Sequence, residues 1–127
     1  MQLLLKNKYT DKVSLITDAM RAKGIPDGES ELGGQKVFVK NGEARLEDGT
    51  LAGSVLRMNR AIENVVKKVG VPLLDAVDCA TINPARLLGI DKETGSIKVG
   101  KRADFTVLNS NYDVILTIRD GEIIYQA

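Results

Sequence analysis

The chain contains no histidine and a single cysteine, Cys79, among its 127 residues. A self-contained zinc, iron or copper site needs imidazoles or several thiolates, and these residues supply neither. Hydrolases that activate a serine or cysteine through a histidine base are excluded for the same reason. One cysteine cannot form an internal disulfide, which fits a reducing, cytoplasmic setting. Aromatic residues make up only 4% of the chain, too few for a base-stacking surface. Neither charge sign is in excess: 18 Lys plus Arg face 17 Asp plus Glu, for a net charge of +1. Nothing in that balance draws in nucleic acid or an anionic membrane. No apolar run nears the roughly 20 residues needed to span a bilayer. The opening MQLLLKNKYTDK has too short an apolar stretch for a signal peptide.

What remains is an ordinary globular balance, 43% apolar and 28% charged, in a length that suits one domain. Gln2–Asn7, with three consecutive leucines, reads as a helix remnant. Val13–Thr17 reads as a short buried strand. The glycines and proline of GIPDGESELGG, residues 24–34, predict a loop. QKVFVKNGEARLEDG carries the clearest local signal. Val37 and Val39 alternate with polar neighbours, and Asn41-Gly42 suits a type I′ turn. Ala44 and Leu46 alternate on the way back, so residues 35–47 form a β-hairpin.

From Ser54 to Val69, apolar residues at 55, 58, 62, 65, 66 and 69 share one face of a 3.6-residue period. Ser54 is a candidate N-cap and Gly70 a stop. Pro72 starts a second helix through about Thr81, and Asn83-Pro84 repeats the cap-then-proline signal for a third, ending at Gly89. The remainder is β-rich, with Asp120-Gly121 as a tight turn. Strands and helices are segregated along the chain, which favours α+β.

Three stretches carry a resemblance. TINPARLLGIDKETGSIKVGKRADFTVLN (Thr81–Asn109) resembles the C-terminal segment of the amidohydrolase superfamily. LITDAMRAKGIPDG and DGTLAGS narrow it to a likeness with the N-acetylglucosamine-6-phosphate deacetylases. That resemblance implies a metal-dependent hydrolase built on a (β/α)8 barrel with a small β-sandwich attached. Such a barrel takes about 250 residues, so the chain is expected to be a C-terminal fragment of a longer parent. Residues 1–90 would hold the last barrel strand, the hairpin 35–47 and two to three helices within 54–89. Residues 91–127 would be sandwich strands. The resemblance implies that the family's metal-binding histidines and glutamate lie on earlier strands. A divalent metal would then belong to the parent, with no metal ligand here and the 127-residue chain inactive alone.

Asp18 is the candidate catalytic residue. On spacing alone, its carboxylate is a cap or loop acid ahead of AMRAK, with Gly24 as a stop. The resemblance makes it the group that takes a proton from the attacking water and returns it to the departing amine. Leu51, Ala52 and Gly53 are carried over as substrate-binding residues around the acetyl group, where small residues let backbone approach a ligand. The expected partner is N-acetylglucosamine 6-phosphate, in cytoplasmic amino-sugar metabolism, with a homo-oligomer as the assembly. Arg21 and Lys23 are read as solvated loop cations, Asn83 as a helix cap and Cys79 as a small core residue. A dihydroorotase-like or deaminase-like member, and a non-catalytic oligomerisation module, stand as the alternatives.

Overall fold

The computed structural model describes residues 10–127. The helix expected over Gln2–Asn7 lies outside the described residues. A single 3-10 turn, Thr10–Lys12, is followed by four strands: β1 (Gly28–Leu32), β2 (Gln35–Lys40), β3 (Glu43–Arg45) and β4 (Leu51–Gly53). Three helices come next: α1 (Met58–Asn64), which continues as a π-helical turn over Val65–Val69, then α2 (Leu73–Ala80) and α3 (Ile82–Leu87). Strands β5 (Phe105–Leu108), β6 (Val114–Arg119) and β7 (Glu122–Gln126) close the chain. These elements divide into two compact units. One is Ile16–Ala61, and the other joins Ile62–Ala127 to the residues through Leu15.

The Ile16–Ala61 unit is an antiparallel sheet in the order β1-β2-β3-β4. Its centre is the predicted hairpin, in which Val39 faces Ala44 and Lys40 faces Glu43. Asn41 and Gly42 have φ of 52° and 78°, the two positive values that a type I′ turn requires. Val37, Val39 and Ala44 turn inward and are buried with Met20 and Ala22. Leu46, Ala52 and Val55 pack against that cluster.

Two strands here were hidden from the sequence: β4, a stretch read as a loop of small residues, and β1. Gly28–Leu32, expected as loop, is β1 and pairs with β2 from Gly28–Val39 to Leu32–Gln35. Gly33 and Gly34, with φ of 60° and 81°, make a second two-residue hairpin turn. A Gly-Gly pair is itself a hairpin signal, but β1 is edge-exposed and carries no apolar alternation to announce it.

In the second unit the helices form the core. Ile62, Val65, Val71 and Ala76 are buried together, with Leu15, Val69, Ala80 and Tyr112 against them. Gly70 ends the first helical run as expected, at φ 82°. The run begins four residues later than predicted because Ser54 is otherwise engaged. Its carbonyl accepts the Met20 N–H at 2.8 Å and its hydroxyl accepts the Leu56 N–H at 3.1 Å. Pro72 stands at the cap position of α2, one residue outside the expected start.

Asn83 is not a cap. It lies inside α3, buried, and its amide donates to the carbonyls of Thr10 at 2.7 Å and Val13 at 2.8 Å. Cys79, wholly buried as expected, donates its thiol to the same Thr10 carbonyl, and its own carbonyl accepts the Leu15 N–H at 2.8 Å. These bonds account for the segment 10–15. Val13–Thr17 itself is not a strand: it makes no ladder with any described residue, and Ile16 is 77% exposed. A strand exists only where a neighbour offers its backbone, and among the described residues none does so there.

The terminal sheet has the order β5-β6-β7. Asp120 and Gly121 turn β6 into β7 at φ 51° and 87°. Residues 95–104, expected to be β-rich, are irregular. Lys101 anchors them through its ammonium, which donates to the Asp91 and Thr94 carbonyls and the Ser96 hydroxyl.

Candidate functional site

Asp18 follows the segment that the sequence offered as a strand. Directly after it the chain is fixed: Ala19 and Ser54 form an isolated parallel bridge, and the Met20 N–H donates to the Ser54 carbonyl. Two parallel segments run side by side in the same direction. Asp18 therefore comes just before the bridge on one segment, and Leu51–Gly53 lead into it on the other. All four predicted site residues belong to the Ile16–Ala61 unit.

The backbone at Asp18 is left-handed, with φ 48°. Aspartate tolerates that region better than most residues, at a cost of about 1 kcal/mol. Two of the other non-glycine residues with positive φ, Asn41 and Asp120, open hairpin turns. Asp18 lies in no hairpin, and strain without a turn to explain it is a feature of functional positions. Its carboxylate is exposed and makes no hydrogen bond or ion pair with any described residue. This overturns the capping role. Residues 21–24 form a turn and not a helix, so there is no helix start for Asp18 to cap. Both oxygens are without a partner among the described residues.

The three residues opposite differ from one another. Leu51 is 65% exposed, whereas Ala52 is half-buried against the core. Gly53 is small for a structural reason: a Cβ there would come within 3.1 Å of a Leu32 methyl and 3.3 Å of the Met20 sulfur. Its lack of a side chain thus lets β4 sit down on Met20, the residue whose N–H locks Asp18's segment to Ser54. Ser54 is the residue whose carbonyl ties this segment down. Its type signalled a helix cap equally well, and only the fold shows that its backbone is spent on Met20.

Arg21 and Lys23 are exposed on the turn after Met20 and make no ion pair among the described residues. No three His, Cys, Asp or Glu side chains among the described residues come together as a metal shell. Asp18 alone does not fit a catalytic metal, so what this geometry provides is an exposed carboxylate one residue before the Ala19–Ser54 bridge.

A model of the amidohydrolase family matches residues 6–124, nearly the whole chain. The chain belongs to the amidohydrolase family. Among relatives of this amidohydrolase chain, an N-acetylglucosamine-6-phosphate deacetylase of Bacillus subtilis is 44% identical over 118 residues. The match covers 93% of this chain and 30% of that protein. A putative N-acetylgalactosamine-6-phosphate deacetylase of Escherichia coli K12 is 43% identical, with 82% of this chain and 62% of that protein covered. Among solved structures, the N-acetylglucosamine-6-phosphate deacetylase of Pasteurella multocida superposes with a TM-score of 0.88 at 34% identity. That superposition covers 96% of this chain and 32% of the other. This amidohydrolase chain thus spans about a third of the length of the Bacillus and Pasteurella proteins, and its sheets and helices follow those of the Pasteurella protein.

Proposed function

We propose that the chain is the part of an amidohydrolase that removes the acetyl group from a 2-acetamido-hexose 6-phosphate, N-acetylglucosamine 6-phosphate in the first instance. The products are the free amino-sugar phosphate and acetate. The reading rests on one observation above the others. Asp18, in a left-handed backbone and with its carboxylate bonded to no described residue, stands just before the Ala19–Ser54 bridge, and Leu51–Gly53 lead into that bridge on the other segment. Relatives named for this reaction supply the substrate class.

In this reading, Asp18 takes the proton that water loses as its oxygen bonds to the acetamide carbon. It hands that proton to the nitrogen as the C–N bond breaks, which makes the amine a neutral leaving group. A positioned acid–base group of this kind contributes about 10²–10⁴ in rate. The backbone of Leu51–Gly53 flanks the acetyl group. The divalent ion on which amidohydrolases generally depend finds no shell among the described residues. Its ligands belong to polypeptide beyond this chain. The chain itself corresponds to the end of the barrel over 1–90, in which Val13–Thr17 would pair as the last strand only beside its neighbours in the longer parent, and to sandwich strands over 91–127. The exposed edges of β1 and β7 suit a homo-oligomer, and amino-sugar recycling places the enzyme in the cytoplasm.

The test is a chimera in which this chain replaces the matching 118-residue stretch of the Bacillus subtilis relative. Acetate release from N-acetylglucosamine 6-phosphate, well above that from dihydroorotate, is the expected result. A folded chimera that turns over only the cyclic amide, or the galactosamine epimer alone, contradicts the assignment. The chain by itself releases no acetate.

A further inference from the structure

We infer that the second unit carries a binding site for a dianionic phosphate group, in the hollow between α2, α3 and the loop 91–101. The hollow is an open depression of about 460 Å³, within the range of small-ligand sites. It lies wholly in the Ile62–Ala127 unit, and no residue of the Asp18 site lines it.

Its charge is unbalanced. Arg86, Lys92, Lys98 and Lys101 line it, against Asp78 and Asp91. None of the six forms an ion pair with any described residue. Four positive and two negative groups leave a surplus of two. A phosphomonoester, whose second ionisation falls near pH 6, brings the matching two negative charges at neutral pH, and inorganic phosphate does so at somewhat higher pH.

The floor of the hollow is specific in its chemistry. The half-buried Lys101 ammonium donates to three neutral oxygens, those of Asp91, Thr94 and Ser96. An ammonium has three N–H groups, so Lys101 offers a fixed charge and no further donor. Ser96 accepts one of these bonds through its hydroxyl oxygen, at 2.6 Å. Its own hydrogen is therefore free to donate outward, and the cation behind it strengthens that donor. Arg86, exposed at the end of α3, brings a planar fork suited to two phosphate oxygens. Lys98, also exposed, brings a mobile point charge. The three form a donor set around a charge that the protein does not neutralise.

Titration of the full chain with inorganic phosphate, followed by ¹H–¹⁵N NMR, tests this. Saturable shifts are expected at residues 86, 92, 96 and 98, with no counterpart in potassium chloride of equal ionic strength. The variant Arg86→Gln/Lys98→Gln alters only exposed side chains and leaves the Lys101 anchor intact. It should bind at least about tenfold more weakly while keeping the spectrum of the folded chain. A parallel titration with glycerol phosphate separates the sources. Tighter binding than that of free phosphate marks an ester as the ligand, and equal binding marks the phosphate group alone. Shifts that rise linearly without saturating, shifts reproduced by chloride, or affinity unchanged in the double variant would overturn the site. None of these outcomes depends on deacetylase activity.

Discussion

Replacing Gly95 by alanine isolates one packing constraint in the second unit. The residue sits at φ +82°, and a Cβ built on it would lie 2.7 Å from the Ala85 Cβ, 3.1 Å from the Ile82 Cα and 3.2 Å from the Thr81 carbonyl oxygen. Real Cβ atoms do not approach at 2.7 Å, and two of the three neighbours are backbone atoms of α3 or its cap. Relief therefore requires moving the helix and not a rotamer. The left-handed backbone costs alanine about 1–2 kcal/mol, and overpacking adds about 1–3 kcal/mol. Gly100 provides the control: it has φ +88° and nothing within 4 Å of its would-be Cβ. Gly100→Ala carries the backbone cost without the clash. Any loss of unfolded-chain entropy is common to both variants and cancels in their difference. Urea unfolding followed by circular dichroism should place Gly95→Ala about 1–3 kcal/mol below Gly100→Ala at equal m. Equal midpoints for the two variants would show that the loop 91–101 does not pack on α3 as described.

Asn83→Ala removes both amide bonds to the Thr10 and Val13 carbonyls. It should cost roughly 2–4 kcal/mol and raise amide exchange at Leu15, and an unchanged midpoint would contradict the grip. Burial, and next the nearby Asp75 and Asp78, push the Cys79 thiol above its ordinary range. Its reaction with a disulfide reagent at pH 8 should be far slower in the folded chain than in urea, and comparable rates would refute the burial. Asp48 is held below the usual carboxylate range, first by the Thr50 N–H at 2.8 Å and then by the Thr50 hydroxyl. A depressed acid adds stability above the unfolded value, near pH 4, and loses it as pH falls through the folded value. Asp48→Asn should therefore flatten the acid limb of a stability–pH curve, and an unaltered limb would rule that out.

Features governed by neighbouring residues were legible in the sequence. Asn41-Gly42 and Asp120-Gly121 need only their own backbone to turn, and Gly70 ends its helix wherever the helix packs. Features that depend on a distant partner were not. Val13–Thr17 has the apolar texture of a strand but finds no ladder among the described residues, whereas Gly28–Leu32 has the texture of a loop and becomes one edge of a sheet. Asn83 followed by proline is a cap signal by residue type. Its amide instead serves carbonyls some 70 residues away, which no local pattern encodes. The residues of the candidate site were named from the sequence. Their juxtaposition was not, because the tie between Ala19 and Ser54 spans the whole hairpin insertion. Gly53 shows the same limit: its smallness pointed to a ligand, and the fold reveals Met20 and Leu32 against it.

The role of Asp18 is tested most directly by steady-state kinetics of acetate release from N-acetylglucosamine 6-phosphate. The comparison is between the Bacillus chimera and its Asp18→Asn form. The carboxylate is exposed and bonded to nothing described, so the substitution removes charge and basicity without disturbing packing. The account predicts a fall in kcat of at least about 10² with KM little changed. A kcat within twofold of the parent chimera would contradict it.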